Sequence, residues 1–200
     1  MEQINNKHVQ KILKNIANLS SGYSFRGSVP VDANGVISVI QAGDISDDGS
    51  ICVSEQARVQ ESEVLKSSIL EDGDILLVSR GVGMGSFRSA VFHTGSNKAI
   101  ASATVHVIRI NDKDVLSEYL CSYLNSNKGQ IDLLRIATGA SVRMLSLNEL
   151  KELHIPIPSP ENQKSFSDLV NNIYQQKILL KKKQFILDQI RITSTSQLIK

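Results

Sequence analysis

The sequence predicts an α/β (α+β) protein: a globular mixed domain followed by a long C-terminal coiled-coil helix. Three observations carry this. Between residues 36 and 110, short runs rich in Val, Ile, Ala and Phe alternate with Gly, Asn and Asp, the pattern of strands and turns. Beyond residue 115 the apolar residues change to helical spacing. All twelve glycines lie between Gly22 and Gly139, and the tail after the proline-rich HIPIPSPENQ (154–163) has none. That shift in composition reads as a boundary, with a domain over 1–158 and a helix over 159–200.

Taken in order, VISVI (36–40), DILLVSR (74–80), SFRSAVFH (86–93) and KAIASATVHVIRI (98–110) read as strands. In DVLSEYLCSYLNS, Leu116, Tyr119, Leu120, Tyr123 and Leu124 keep the i, i+3, i+4 spacing of a helix with one buried stripe. Ser146, with Glu149 three residues on, forms a capping-box pattern, so a short helix starts there and gives way to the extended LHIPIP. Ser159-Pro160 opens the last helix, a cap followed by proline at the first helical position. It should run to about Arg191, on the order of 45 Å at the helical rise. Phe166, Ile173, Leu180 and Leu187 recur every seven residues, and Leu169, Ile186 and Ile190 widen the stripe. The polar stretches Gln175–Lys177 and Lys181–Gln184 interrupt this seam. Such a helix either reaches for a partner or folds back on its own domain.

Composition excludes several classes. With 41% hydrophobic and 21% charged residues, a chain of 200 residues suits an ordered protein with a core of its own. No apolar run approaches the roughly 20 residues of a membrane span. The polar start, MEQINNKHVQ, has no apolar signal core and points to the cytoplasm. Cys52 and Cys121 lie far apart without a CxxC, against both a disulfide framework and a thiolate zinc site.

Enzymatic readings fare poorly. DILLVSRGVGMG (74–85) is an apolar strand followed by Gly81, Gly83 and Gly85, as at many phosphate sites. A dinucleotide fingerprint needs GxGxxG and then a helix, but SFRSAVFH has no helical stripe. A P-loop needs Lys and Ser/Thr after its last glycine, where this chain has Ser86-Phe87. The glycines therefore read as a strand-to-strand surface turn. The four histidines show no HxxxH spacing, no GxSxG elbow occurs, and acids such as Asp44 and Asp74 follow turn glycines, where they cap turns. No catalytic or metal-binding set emerges, and the chain reads as a binder.

Charge is unevenly placed although its net value is only +2. Nine acids lie between Asp44 and Asp74, whereas Arg80 to Ile110 holds no acid but contains Arg80, Arg88, Lys98 and Arg109. A second acid-free window, Leu133–Asn148, carries Arg135 and Arg143. Such windows can form a positive face for an anionic partner, or be strands whose few charges happen to be basic.

Six strings occur together in one order: GYSFRG (22–27), VIQAGDIS (39–46), LEDGDILLVSRG (70–81), AIASATVHVIRI (99–110), YLCSYLNSNKGQ (119–130) and ATGASVRMLSLNELKELHIPIPSPENQ (137–163). In that order they resemble the specificity subunits of type I restriction-modification systems, over about residues 15 to 190. The resemblance implies a target recognition domain followed by a helix that packs as a coiled coil. It implies recognition of one half of a bipartite double-stranded DNA sequence, with the helix as spacer. Catalysis belongs to partners: a modification subunit that binds S-adenosylmethionine and methylates adenine, and a restriction subunit joined through the complex. A full specificity subunit carries two such domains in tandem. This chain has room for one and so looks like a half-subunit that homodimerises through its helix, on a palindromic site. A degraded or decoy fragment, active only in assembly, is the alternative.

For DNA reading, the acid-free windows nominate Arg80, Arg88 and Lys98 around the glycine turn, and Ser141 and Arg143 in TGASVR. GYSFRG adds Tyr23, Ser24 and Arg26, and Gln41 is a further base-contact candidate. The helix seam is assigned to Phe166, Leu169, Ile173, Leu180, Leu187 and Ile190.

Overall fold

The structure, a computed structural model, describes residues 9–32, 34–52, 57–95 and 98–198, without the side chains of 174, 192 and 194–198. In chain order the described elements are β1 (Val9–Ile12), β2 (Ala17–Ser21), β3 (Ile37–Ile40), β4 (Arg58–Val59), β5 (Ile75–Val78), β6 (Arg80–Gly81), β7 (Ser89–Val91), β8 (Lys98–Ala101) and β9 (Val105–Ile110). There follow α1 (Ser117–Asn125), α2 (Asn127–Ile136), β10 (Arg143–Met144), α3 (Leu147–Lys151), β11 (His154–Ile157) and α4 (Pro160–Leu198). Strands β2-β9-β5-β7 form a four-stranded antiparallel sheet. A second sheet, β4-β3-β8, pairs β3 with β8 in parallel, and the ladders β1-β11 and β6-β10 stand apart.

Apolar alternation decides how these sheets stack. All four residues of β5 are buried, because its two faces serve different cores. Ile75 and Leu77 point to one core, with Ile108, Phe87 and the helical residues Leu120, Leu124, Leu133 and Leu150. Leu76 and Val78 join Val105, Val107, Ala99, Ala101 and Ile40 in the other. The four-stranded sheet is thus covered by helices on one face and by the three-stranded sheet on the other. A third cluster, Ile37, Val39, Ala57, Val59 and Ile100, closes the far side of the smaller sheet, with Tyr23 and Phe25 packed against it.

The mixed fold and the long terminal helix agree with the sequence, and several details differ, among them helix α2 and the short strands β4 and β10, which the sequence reading lacks. KAIASATVHVIRI is not one strand. It breaks at Ser102–Thr104, so that Lys98–Ala101 joins the smaller sheet and Val105–Ile110 the larger. The strand in SFRSAVFH shrinks to Ser89–Val91. Strands β1 and β2 carry too few apolar residues to announce themselves, and find their partners at β11 and β9, far along the chain. The cap at Ser146 forms in its first half, with Ser146 Oγ accepting from the Glu149 amide at 3.2 Å, and Asp74 caps its turn, with Oδ2 accepting from the Glu71 amide at 2.8 Å. Gln163, in the PENQ string, donates to the carbonyls of Asp114 (2.7 Å) and Pro158 (3.0 Å), which secures the first turn of α4 in the body.

Residues 165–200 form a unit of their own. Helix α4 is longer than expected, 39 residues and about 58 Å at the helical rise. Phe166, Leu169, Ile173, Leu180, Leu187 and Ile190 are all exposed on it. Leu169 and Ile190 lie three residues after Phe166 and Leu187, whereas the corresponding places after Ile173 and Leu180 hold Gln176 and Lys183. The seam is therefore apolar at both ends and polar in its middle.

One ion pair lies inside this frame. Asp74, 1% exposed, accepts from Arg109 Nε and Nη2, each at 2.7 Å, so a buried carboxylate at the head of β5 is neutralised from β9. Removing the arginine would strand that charge. Arg109→Met should therefore cost about 3 kcal/mol, read as a lower urea midpoint at unchanged slope.

Candidate nucleic-acid interface

The C-terminal ends of β2, β3, β5 and β8 and the start of β9 meet at one edge of the body. Register puts them there: Ser21 lies opposite His106, Val78 opposite Val105, and Ile40 opposite Ala101. The loops leaving these ends are knitted together by backbone bonds. Gly22 N donates to the Val105 carbonyl (2.8 Å) and Tyr23 N to that of Ala101 (2.7 Å). Ser79 N donates to the Thr104 carbonyl (3.0 Å), and Leu145 N donates to that of Ser79 (2.9 Å). Ala42 N reaches Thr104 Oγ1 at 3.3 Å. The loops after β2, β3 and β5 thus meet at or beside the Ser102–Thr104 turn, and the loop before α3 joins them through Ser79. Gly22 is required by that closeness, since a Cβ there would fall on the Ser102 carbonyl oxygen.

The glycine turn belongs to this edge. Gly83 and Gly85 have positive φ, 76° and 79°, so GVGMG turns sharply between β6 and β7, with no helix behind it to receive a phosphate. Its first arm pairs with the TGASVRM loop: Arg80 lies opposite Met144 and Gly81 opposite Arg143. Thr138 and Met144 close that loop on itself with two amide bonds of 3.0 and 2.7 Å.

Of the nine sequence-nominated residues, eight lie on these loops. Ser24, Arg26, Arg80, Ser141 and Arg143 are exposed. Tyr23 stands at the edge but is engaged, donating to the Glu63 carbonyl at 2.8 Å and meeting Phe25 edge-on at 4.9 Å. Gln41 is half-buried and its backbone N–H donates to Asp44 Oδ2 at 2.8 Å. Arg88 donates to Asp47 and to the Ala42 carbonyl, both at 3.2 Å. Lys98 is not brought to the edge. It opens β8 at the opposite end, bound to Glu61 at 2.6 Å.

The charge windows read differently in three dimensions. The acidic segment folds back onto the basic one: Asp47 pairs with Arg88, Glu61 with Lys98, and Glu71 and Asp74 with Arg109. Three of the four cations between residues 80 and 110 are matched in this way. Arg26, Arg80 and Arg143 have no ion pair among the described residues; Arg143 donates only to the Ala137 carbonyl, at 3.3 Å. The free positive charge of the edge is those three guanidiniums.

Behind the edge, His106 holds the second loop. Its Nε2 lies 2.8 Å from the Leu145 carbonyl, and burial pushes its pKa below the ordinary value, partly opposed by that hydrogen bond. The sequence offered one signal for it, a polar side chain inside the apolar stretch VHVI.

Comparison with known proteins identifies the family. The model of the type I restriction modification DNA specificity domain matches residues 6–191. The chain belongs to that family. No curated protein matches the sequence. Among solved structures, the HsdS subunit from Thermoanaerobacter tengcongensis is similar, with a TM-score of 0.62 and 18% identity, covering 92% of this chain and 41% of that one. A chain from a structural study of complex assembly and conformational transition in the type I R-M system gives 0.61 and 16%, covering 92% and 42%. The type I restriction-modification S subunit from M. genitalium gives 0.54 and 13%, covering 84% and 39%. At these identities the likeness is one of fold, and this specificity domain spans about two fifths of those chains.

His106 makes the edge sensitive to acid. The unfolded imidazole protonates near pH 6.5 and the folded one at lower pH, so the unfolded state binds more protons between these values. Stability is therefore intact above about pH 6.5 and declines as pH falls toward the folded pKa. Thermal melts between pH 7.5 and 5.5 should show a larger loss for the wild type than for His106→Gln.

Proposed function

We propose that this specificity domain reads one half of a bipartite DNA duplex through the edge described above. The observation that carries the reading is the convergence of loops 22–27, 41–44, 79–86 and 138–145 on one edge, presenting Arg26, Arg80 and Arg143 without ion-pair partners among the described residues. Duplex DNA supplies the matching anion, one phosphate charge per about 1.7 Å of axis. Tyr23, Ser24, Gln41, Arg88 and Ser141 complete the contact set. Arg88 would have to exchange Asp47 for DNA, and Lys98 stays outside.

In this reading the chain catalyses no step itself. It directs a modification subunit, which carries S-adenosylmethionine and methylates the site, and a restriction subunit acts through the same complex. A second copy supplies the other half-site, joined through the exposed α4 seam of Phe166, Leu169, Ile173, Leu180, Leu187 and Ile190. A two-fold dimer then sets two identical half-sites at a fixed spacing.

The test is a gel shift of the full chain with its modification subunit, against duplexes carrying paired half-sites and variable spacers. Selective retention is expected. The triple variant Arg26→Ala, Arg80→Ala, Arg143→Ala should bind more weakly, with a salt slope lower by about one for each arginine that meets a phosphate. Unchanged affinity would refute the assignment. For the helix, sedimentation should show a dimer that Leu180→Glu converts to a monomer; a monomeric wild type would refute the dimer.

A further inference from the structure

The β6-β10 ribbon carries an apolar tip that the charge argument does not use. Val82 is 72% exposed, Met84 57%, Val142 54% and Met144 44%. Four of the nine large apolar residues exposed on residues 9–164, among the described ones, therefore sit on this ribbon and its two loops. Val82 and Val142 are the residues next to the Gly81–Arg143 pair that ends the ladder, so both lie at the tip of the ribbon. Arg80 and Met144 are cross-strand neighbours and share one face, whereas Arg143, opposite Gly81, takes the other. A guanidinium without an ion pair among the described residues thus stands on each side of a narrow ribbon that ends in exposed apolar side chains. Neither loop core requires those side chains, since they belong to none of the three buried clusters.

We propose that Val82, Met84 and Val142 contact thymine 5-methyl groups on the floor of the major groove, so that this ribbon reads A·T and T·A pairs; the inference rests on the DNA-reading function proposed above. Dimensions favour the groove. The major groove, about 12 Å wide, admits a two-stranded ribbon directly, whereas the minor groove, about 6 Å wide, takes one only when the duplex is deformed to widen it. Charge favours the orientation: with the tip on the base edges, Arg80 and Arg143 face the two phosphate walls. The chemistry follows, because the thymine methyl is the one apolar group that base edges display in the major groove. Water leaves both surfaces on contact, and the apolar tip gains a partner.

The test changes the DNA by one methyl at a time. The full chain, with its modification subunit, selects sites from a duplex library randomised in both half-sites. The retained duplex is then remade with deoxyuridine in place of each thymine in turn. At one or more positions the wild type should lose about fourfold in affinity, the effect of one buried methyl. The variant Val82→Ser, Met84→Ser, Val142→Ser, altered only at exposed positions, should lose less than twofold there. Selected half-sites without thymine, or equal deoxyuridine losses in wild type and variant, would overturn the inference and leave DNA reading intact. If no duplex is selected at all, DNA reading itself has failed.

Discussion

The alternation of β5 and β9 between two cores is the constraint on which the rest of the body depends. Ile75, Leu77 and Ile108 face the helices, while Leu76, Val78, Val105 and Val107 face the smaller sheet. A slip of one residue would exchange the two sets and also misplace the polar groups that follow the same alternation. His106 shares the helical face with Ile108 and so reaches Leu145, whereas Arg109 lies on the opposite face and so reaches Asp74. The register that fills the cores therefore also anchors the TGASVRM loop at one end of the sheet and neutralises a buried carboxylate at the other.

Function follows from where those strands stop. With β5 ending at Val78 and β9 beginning at Val105, Ser79 and Thr104 are left side by side, and Ser79 then accepts the amide of Leu145. The glycine turn and the TGASVRM loop become neighbours because the sheet holds their roots together. Phosphate-binding glycine loops work by offering amides at a helix N-terminus. Here the glycines shape a turn beside a second loop, and the groups offered outward are guanidiniums and apolar side chains.

Much of the fold was legible in local pattern. The strands of VISVI and DILLVSR, the helix from Ser117, the cap at Ser146 and the start of α4 at Pro160 all depend on neighbours within a few residues. Helix α2 is a local element that the sequence reading lacks, although Ser126 caps it by accepting from the Gly129 amide, whereas the missed strands depend on distant partners. Strand β1 pairs with β11 across nearly 150 residues, and β6-β10 is two residues long on each side, too short for any periodicity. The break at Ser102–Thr104 was hidden because the apolar run is continuous, while its two halves serve different sheets. Charge was the least legible feature. Acids and bases segregated along the chain are brought together by folding at Arg88, Lys98 and Arg109, and of the arginines nominated from the windows only Arg80 and Arg143 kept the character that the windows suggested.

The central claim, that the loop edge around Ser102–Thr104 is the face that meets DNA, is tested most directly by position-specific photo-cross-linking. A photoreactive residue at Ser24 or Ser141 would probe the edge. One at Thr94, beyond the opposite end of β7 and bonded to Asp72, would serve as the control. With the full chain, its modification subunit and a selected duplex, covalent DNA adducts should form from Ser24 and Ser141 and not from Thr94. Adducts from Thr94 alone, or equal yields from all three, would contradict the account.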